Sequence, residues 1–163
     1  MSGDVMKLID VLKPEYIKIP LTATSKEGVI QELIAVLANQ GLFTDAQTVL
    51  QAVLEREKIM TTGVGNGVAI PHCKHTSCSQ FAIALGIHPQ GVDFESIDNQ
   101  PAHLIFLLVG PEDKPGLHIR LLSRISRIIS KPAVRQKLLT QQSPQAIFNI
   151  LEEEESKFFE IAG

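Results

Sequence analysis

The stretch Thr61–His75, TTGVGNGVAIPHCKH, concentrates the residue types from which this chain could build a reactive centre. Gly63, Gly65 and Gly67 alternate through it, Val68, Ala69 and Ile70 follow as a short apolar run, and Pro71 delivers His72. Glycine reaches φ > 0 without steric penalty and lets ligand atoms approach the main chain. Successive N–H groups in such loops can converge on an anion, so Gly65, Asn66 and Gly67 are candidate phosphoryl-binding backbone. Proline drives the residue before it out of the helical region. Ile70 is therefore predicted to be extended, with His72 at the tip of a short strand. An imidazole presented in this way suits covalent phosphoryl uptake, since histidine is a nucleophile and is largely neutral near physiological pH.

Two other readings of the same residues stand beside that one. His72, Cys73, His75 and Cys78 lie within seven residues and are the right types for a zinc-binding module. Adjacent His72 and Cys73 on an extended segment point to opposite sides. Neither a C-x-x-C pair nor an H-x-x-x-H pair is present, so the spacing works against a metal. The plainer reading makes the glycines a hairpin and His72 an ordinary surface residue. The glycine triplet, the Pro-His dipeptide and the following Lys74-His75 together exceed what packing alone requires.

The elements that must position this loop follow from periodicity. Met6 to Leu12 is predicted as a short helix stopped by Pro14, and Tyr16 to Leu21 as an edge strand ending near Pro20. Thr24-Ser25-Lys26-Glu27 has capping-box form and opens a helix whose stripe is Val29, Ile30, Leu33, Ile34, Val36 and Leu37, closed by Gly41. Thr44-Asp45-Ala46-Gln47 repeats the signal, with Ala46, Val49, Leu50, Val53 and Leu54 as the next stripe. That helix closes in Glu55-Arg56-Glu57-Lys58, so a charged helix end is delivered next to His72.

Phe81 to His88 alternates large residues with Ala82, Ala84 and Gly86, which predicts a strand covered on both faces and closely approached on the small one. Leu104 to Val109 reads as a central strand buried on both sides. A helix over Gly116–Ser130 turns Leu117, Leu121, Leu122, Ile125, Ile128 and Ile129 inward and leaves Arg120, Arg124 and Arg127 on a solvated face. Pro132 starts another helix, and Ser143-Pro144 forms an N-cap and first-residue pair for the last one. Glu152 to Glu155 in that helix reads as a solvated face, and His88 and His103 have no evident route to the loop. The fold class is α/β, with helices around a small mixed sheet.

Composition bounds the rest. A chain of 163 residues fits one domain, 1–163, with ordinary globular proportions of 44% hydrophobic and 20% charged residues. A formal net charge of -3 argues against general nucleic-acid or anionic-membrane binding. Two cysteines are too few for a disulfide scaffold. The start, MSGDVMKLID, lacks a basic segment followed by a long apolar one, so no signal peptide is expected. No window approaches ~18 uninterrupted apolar residues, so no membrane insertion is expected and a cytoplasmic location is.

GVGNGVAIPHCKH resembles the phosphorylation-site motif of the mannitol/fructose-type enzyme IIA domains of the bacterial phosphotransferase system, and DFESIDNQPAHLIFLLVGPED resembles the stretch that follows it there. The similarity spans roughly Leu8 to Leu151. Asn66 and the DNQP segment place the chain nearest the nitrogen-regulatory IIA proteins. The resemblance implies a mixed five-stranded sheet flanked by helices on both faces. It also implies a phosphohistidine relay in which His72 accepts phosphate from a histidine phosphocarrier protein and regulatory target proteins read the outcome. A sugar-transport IIA that passes phosphate to a separate IIB is the alternative.

By position, the arginine and second histidine of the family site fall on Arg56 and His118; no cofactor is expected. Taken alone, Arg56 is better read as an ordinary Glu–Arg surface pair at a helix end. His118 fits either a surface histidine or a group placed where a helix N-terminus favours anions. Cys73 departs from the family, where glycine commonly follows the active histidine, and this bears on local geometry and redox behaviour.

Overall fold

The computed structural model describes residues 6–160, with side chains through residue 158. The first five residues of the stretch read for a signal peptide lie outside them. α1 (Leu8–Val11) and a single 3-10 turn (Pro14–Tyr16) lead into β1 (Ile17–Lys18), shorter than the predicted Tyr16–Leu21 strand. α2 (Lys26–Asn39) begins one residue later than a cap on Thr24 would place it: Ser25 is the N-cap and its hydroxyl accepts from the Gly28 N–H at 3.0 Å. α3 (Ala46–Ile59) is capped in the same way by Asp45, which accepts from the Thr48 N–H at 3.1 Å.

β2 (Gly63–Gly65), β3 (Val68–Ala69) and β4 (His72–Lys74) follow in quick succession, then the long β5 (Ala82–Val92) and β6 (Ala102–Gly110). α4 (Pro115–Ile129), α5 (Pro132–Leu139) and α6 (Pro144–Glu160) complete the chain. Among the described residues no helix is long and apolar enough to cross a membrane.

The sheet runs β1-β5-β6-β3-β2, with β4 also paired to β6. β5 and β6 are antiparallel; β1 is parallel to β5, and β3 and β4 are both parallel to β6. β3 and β4 thus lie end to end along one edge of β6, parted at Ile70-Pro71, where proline has no N–H to give the ladder. Six strands therefore occupy the five lanes that the family resemblance implies.

β6 is buried on both faces. Leu104, Phe106 and Leu108 pack with Ile83, Leu85, Leu121, Ile125 and Leu151 on one side. Ile105, Leu107 and Val109 pack with Ala82, Ala84, Leu33, Leu37 and Val53 on the other. The close approach predicted over the small face of β5 is made by Leu21, whose Cδ1 would stand 2.5 Å from a Cβ placed on Gly86.

Two surface assignments from the sequence are corrected. Arg124 is only 12% exposed and pairs with Glu155 at 3.0 Å, so the arginine stripe is not one solvated face; Arg120 and Arg127 do remain exposed. Glu154 and Glu155 are buried while Glu152 and Glu153 are exposed. Glu155 accepts from the Leu8 N–H at 2.6 Å and so satisfies a first-turn donor of α1, while Asp10 accepts from the Lys7 N–H at 2.9 Å. Helical periodicity places four consecutive glutamates around the helix, and only the exposed pair is the solvated face that the sequence suggested.

Glu155→Ala should therefore destabilise the protein by about 3–5 kcal/mol in urea denaturation, because it removes one partner of a buried ion pair. Glu152→Ala should stay within about 0.5 kcal/mol of wild type. Equal effects of the two substitutions would contradict this assignment.

Candidate phosphoryl-transfer site

His72 opens β4 opposite Leu108, half-buried at the edge of the sheet. Its Nδ1 lies 2.8 Å from the Ile70 carbonyl. A carbonyl can only accept, so Nδ1 carries the proton and Nε2 of the neutral ring is left with its lone pair. The accepting carbonyl comes from the residue just before Pro71.

The His118 ring stands 5.5 Å from that of His72, tilted by 58°, with Phe81 behind it at 6.2 Å. His118 is 3% exposed, and neither of its ring nitrogens has a hydrogen-bond partner. An orphaned buried polar group costs about 1–3 kcal/mol, and such groups collect at functional sites.

Electrostatics keep this pair uncharged. Burial holds His118 down to about 4, with His72 and Lys74 acting in the same direction. Burial also holds His72 below the ordinary imidazole range; Arg56 and Lys74 push the same way, against the Ile70 carbonyl and Glu57. Arg56 is in the last turn of α3, close enough for its charge to act on His72, and its Nη1 donates to the Met60 carbonyl at 3.0 Å. The surface Glu–Arg pair considered from the sequence is not what holds it there.

Glu57 was not singled out from the sequence, yet it fixes the end of α3. Only 7% exposed, it accepts from the Thr62 N–H at 2.9 Å and the Thr62 hydroxyl at 2.6 Å, and it pairs with Lys26 at 3.1 Å. The nearest signal was an acid in a helix end five residues before a threonine, too common a pattern to stand out.

The glycine loop is placed differently from the expectation. Gly65, Asn66 and Gly67 all have positive φ (92°, 59° and 77°) and form the turn between β2 and β3. The Asn66 N–H donates to Asp98 at 3.0 Å, and the Gly67 carbonyl accepts from His103 N–H at 2.8 Å and Leu104 N–H at 3.0 Å. The turn is level with His103, whereas His72 is level with Leu108. Five residues along β6 separate them, about 16 Å at the rise of a strand.

The backbone of Gly65, Asn66 and Gly67 therefore does not converge on His72, and the hairpin reading accounts for these glycines. His103, assigned no route to the loop, reaches it through its main chain, while its Nδ1 donates to the His88 carbonyl at 2.9 Å. The helix end beside His72 is instead that of α4. Its N-cap, Lys114, makes no side-chain cap, its first turn has no acid, and Gly116 borders open space. That places the positive end of a helix dipole one turn from His118, with Glu112 and Asp113 just before the N-cap.

The four residues weighed as zinc ligands separate. His72 faces His118, Cys73 and Cys78 are buried in the cluster under α2 and α3, and the His75 Nδ1 accepts from the Ser77 N–H at 3.0 Å. Among the described residues no group of three or more His, Cys, Asp or Glu is arranged to hold a metal ion.

A family model described as "Phosphoenolpyruvate-dependent sugar phosphotransferase system, EIIA 2" matches residues 10–154. The chain belongs to this EIIA family. Its members are components of a phosphoryl-transfer system. The EIIA chain is 40% identical over 146 residues to the fructose-specific EIIABC component of Bacillus subtilis, matching 90% of this chain and spanning 23% of that longer protein.

It is 36% identical to the nitrogen regulatory protein of Bradyrhizobium diazoefficiens, with 90% of this chain and 95% of that one covered. The crystal structure of nitrogen regulatory protein IIA-Ntr from Neisseria meningitidis superposes with a TM-score of 0.81 at 30% identity, covering 87% of this chain and 97% of that one.

The depressed histidines of this EIIA site set a pH dependence. Folded His118 takes its proton only near 4, whereas the unfolded chain does so at 6.5. Between these values the unfolded state binds more protons, so stability rises with pH through the window and is lost on acidification. His72 is shifted in the same direction and adds to the effect. The melting temperature should fall between about pH 7 and about pH 5, and the fall should be smaller in His118→Phe. A fall of undiminished size in that variant would show that His118 is not the group responsible.

Proposed function

We propose that His72 accepts a phosphoryl group on Nε2 from a histidine phosphocarrier protein, and that the chain serves as a nitrogen-regulatory relay whose phosphorylation state is read by target proteins. The observation that carries this is the Ile70 carbonyl on Nδ1, which leaves Nε2 as the free nucleophile beside the unpartnered His118. The Nε2 lone pair forms the new N–P bond while the donor's own N–P bond breaks, its electron pair returning to the donor imidazole.

As His72 gains positive character, the Ile70 carbonyl supports Nδ1–H. His118 then donates a ring N–H to a phosphoryl oxygen and so fills its vacant hydrogen bond. Arg56 leaves a single carbonyl to meet a group carrying nearly two negative charges, with charge-assisted bonds about twice as strong as neutral ones. Little else is needed, because phosphoryl transfer depends on positioning and charge stabilisation. The α4 N-terminus takes the anion-binding part first expected of the glycine loop.

The regulatory role draws support from the Bradyrhizobium and Neisseria proteins, both of which this chain covers almost end to end. The identity to the Bacillus fructose component supports a second reading, in which phosphate passes on to a IIB domain.

Incubation with phosphoenolpyruvate and the phosphocarrier cascade, followed by mass spectrometry at neutral pH, should find one acid-labile phosphoryl group, on Nε2 of His72. His72→Ala should abolish it and His75→Ala should retain it; labelling that persists in His72→Ala would defeat the proposal. Arg56→Ala should slow labelling on the order of a hundredfold, as for loss of one charge-stabilising donor, with stability changed by only about 0–1 kcal/mol. Rapid discharge onto a purified fructose-type IIB would favour the transport reading.

A further inference from the structure

Between β3 and β4 the pairing along β6 is interrupted, and the residues of that gap are the ones that aim His72. Pro71 has no N–H to give, and its carbonyl accepts from the Leu108 N–H at 3.0 Å. Ile70 is held from the other edge, where its N–H donates to the Thr62 carbonyl at 2.9 Å. Its own carbonyl accepts from Nδ1 of His72 at 2.8 Å. The two peptide groups of Ile70 therefore carry the position of Thr62 to the ring of His72.

Thr62 is fixed in turn by a buried acid. Glu57 accepts from its N–H at 2.9 Å and from its hydroxyl at 2.6 Å, so one carboxylate clamps the residue at two points. Glu57 and Thr62 are 7% and 4% exposed, and hydrogen bonds shielded from water in this way are stronger than exposed ones. Lys26, the first residue of α2, closes the line with its ammonium 3.1 Å from Oε2 of Glu57. Lys26, Glu57, Thr62, Ile70 and His72 are thus joined end to end by hydrogen bonds of 3.1 Å or less. The loop that Glu57 and Thr62 close also contains Met60, whose carbonyl anchors Arg56 at 3.0 Å. Glu57 stands behind both the imidazole and the guanidinium.

We propose that Glu57 is a positioning residue for phosphoryl uptake: through Thr62 and the Ile70 peptide it holds His72 in the tautomer that leaves Nε2 free. The inference rests on the role proposed for His72 and names the group that keeps its ring in place. No proton moves along the line; each link only fixes the next. A neutral imidazole carries one proton, and its partners decide which nitrogen holds it. With the Ile70 carbonyl in place the proton stays on Nδ1. With that carbonyl displaced, the proton can reside on Nε2, where it blocks the nucleophile. As the N–P bond forms and the ring gains positive character, Nδ1–H makes a charge-assisted bond to the same carbonyl, about twice as strong as a neutral one.

The line calls for a carboxylate at its centre. Glu57 meets three donors, the Thr62 N–H, the Thr62 hydroxyl and the Lys26 ammonium. A carboxylate only accepts, whereas the amide of glutamine would turn an NH₂ group toward one of them. Glu57→Gln therefore keeps the shape of the side chain and breaks the clamp.

Two measurements separate the line from the phosphoryl chemistry. Long-range ¹H–¹⁵N correlation on the ¹⁵N-labelled full chain, above the imidazole titration range, reads the protonation of each His72 nitrogen with no phosphate present. In the wild type Nδ1 should be protonated and Nε2 bare. Glu57→Gln should give a mixture of tautomers, and Thr62→Val should do so to a smaller extent. Thr62→Ser keeps the hydroxyl and should recover the wild-type pattern. Glu95→Gln alters only the exposed partner of Lys26 and should leave the pattern undisturbed.

In phosphoryl uptake from the phosphocarrier protein, Glu57→Gln should lower kcat about tenfold to a hundredfold, as for a misplacement of about 1 Å, with KM for the carrier changed by less than about twofold. Should Glu57→Gln not fold, Thr62→Val carries both readouts, because it removes one link and no charge. A wild-type His72 protonated on Nε2 would overturn the proposal. So would an unmixed Nδ1 tautomer, an unchanged kcat or a loss confined to KM in the variant that carries the test. Absence of uptake by the wild type would overturn the role of His72, while the tautomers would still report on the line.

Discussion

The structure depends on β6. It is paired along both edges, to β5 on one side and to β3 and then β4 on the other, and covered on both faces, so its backbone groups are paired and its side chains fill two cores. A slip of one residue would exchange the two faces entirely. Each group of the candidate site takes its place from that register. His72 is fixed by pairing with Leu108, and the α4 helix begins shortly after β6 leaves the sheet at Gly110.

The site is built from restrained charge. Two imidazoles 5.5 Å apart in a partly desolvated edge disfavour each other's protonation, and both lie below the ordinary range. A neutral His72 keeps its nucleophilic lone pair, and a neutral His118 keeps an N–H without bringing a second proton to compete for it. Positive charge is held at the margin, by Arg56 and by the end of the α4 dipole, where an arriving anion can meet it. The same imidazoles make the fold sensitive to acid.

Buried acids fasten the elements that carry this chemistry. Glu57 ties the last turn of α3 to the start of β2, and Glu155 ties α6 to α4 and α1. A buried carboxylate is tolerable only when fully partnered, and each of these collects main-chain and side-chain donors together. Their value is in position: Glu57 stands next to Arg56, and Arg124 shares a helix with His118.

Much of the fold was legible because it rests on local signals. Ser25 and Asp45 begin their helices as capping chemistry requires, Gly41 ends one with φ of 75°, and the apolar run Leu104–Val109 is the central strand. The place of His72 in a short strand was legible for the same reason, since Pro71 acts on its immediate neighbours. The residues misassigned from sequence are those whose meaning is set by distant partners. Gly65–Gly67 look like an anion cradle until the register puts them five residues from His72, and Glu155 looks solvated until α1 and Arg124 close over it. The sequence by itself determined most of the elements and the presentation of His72 after Pro71, because backbone preference and periodicity act over a few residues. Only the tertiary structure decided which nitrogen of His72 is free, what stands opposite it and which acids are buried, because those depend on how strands pair and helices pack across the whole chain.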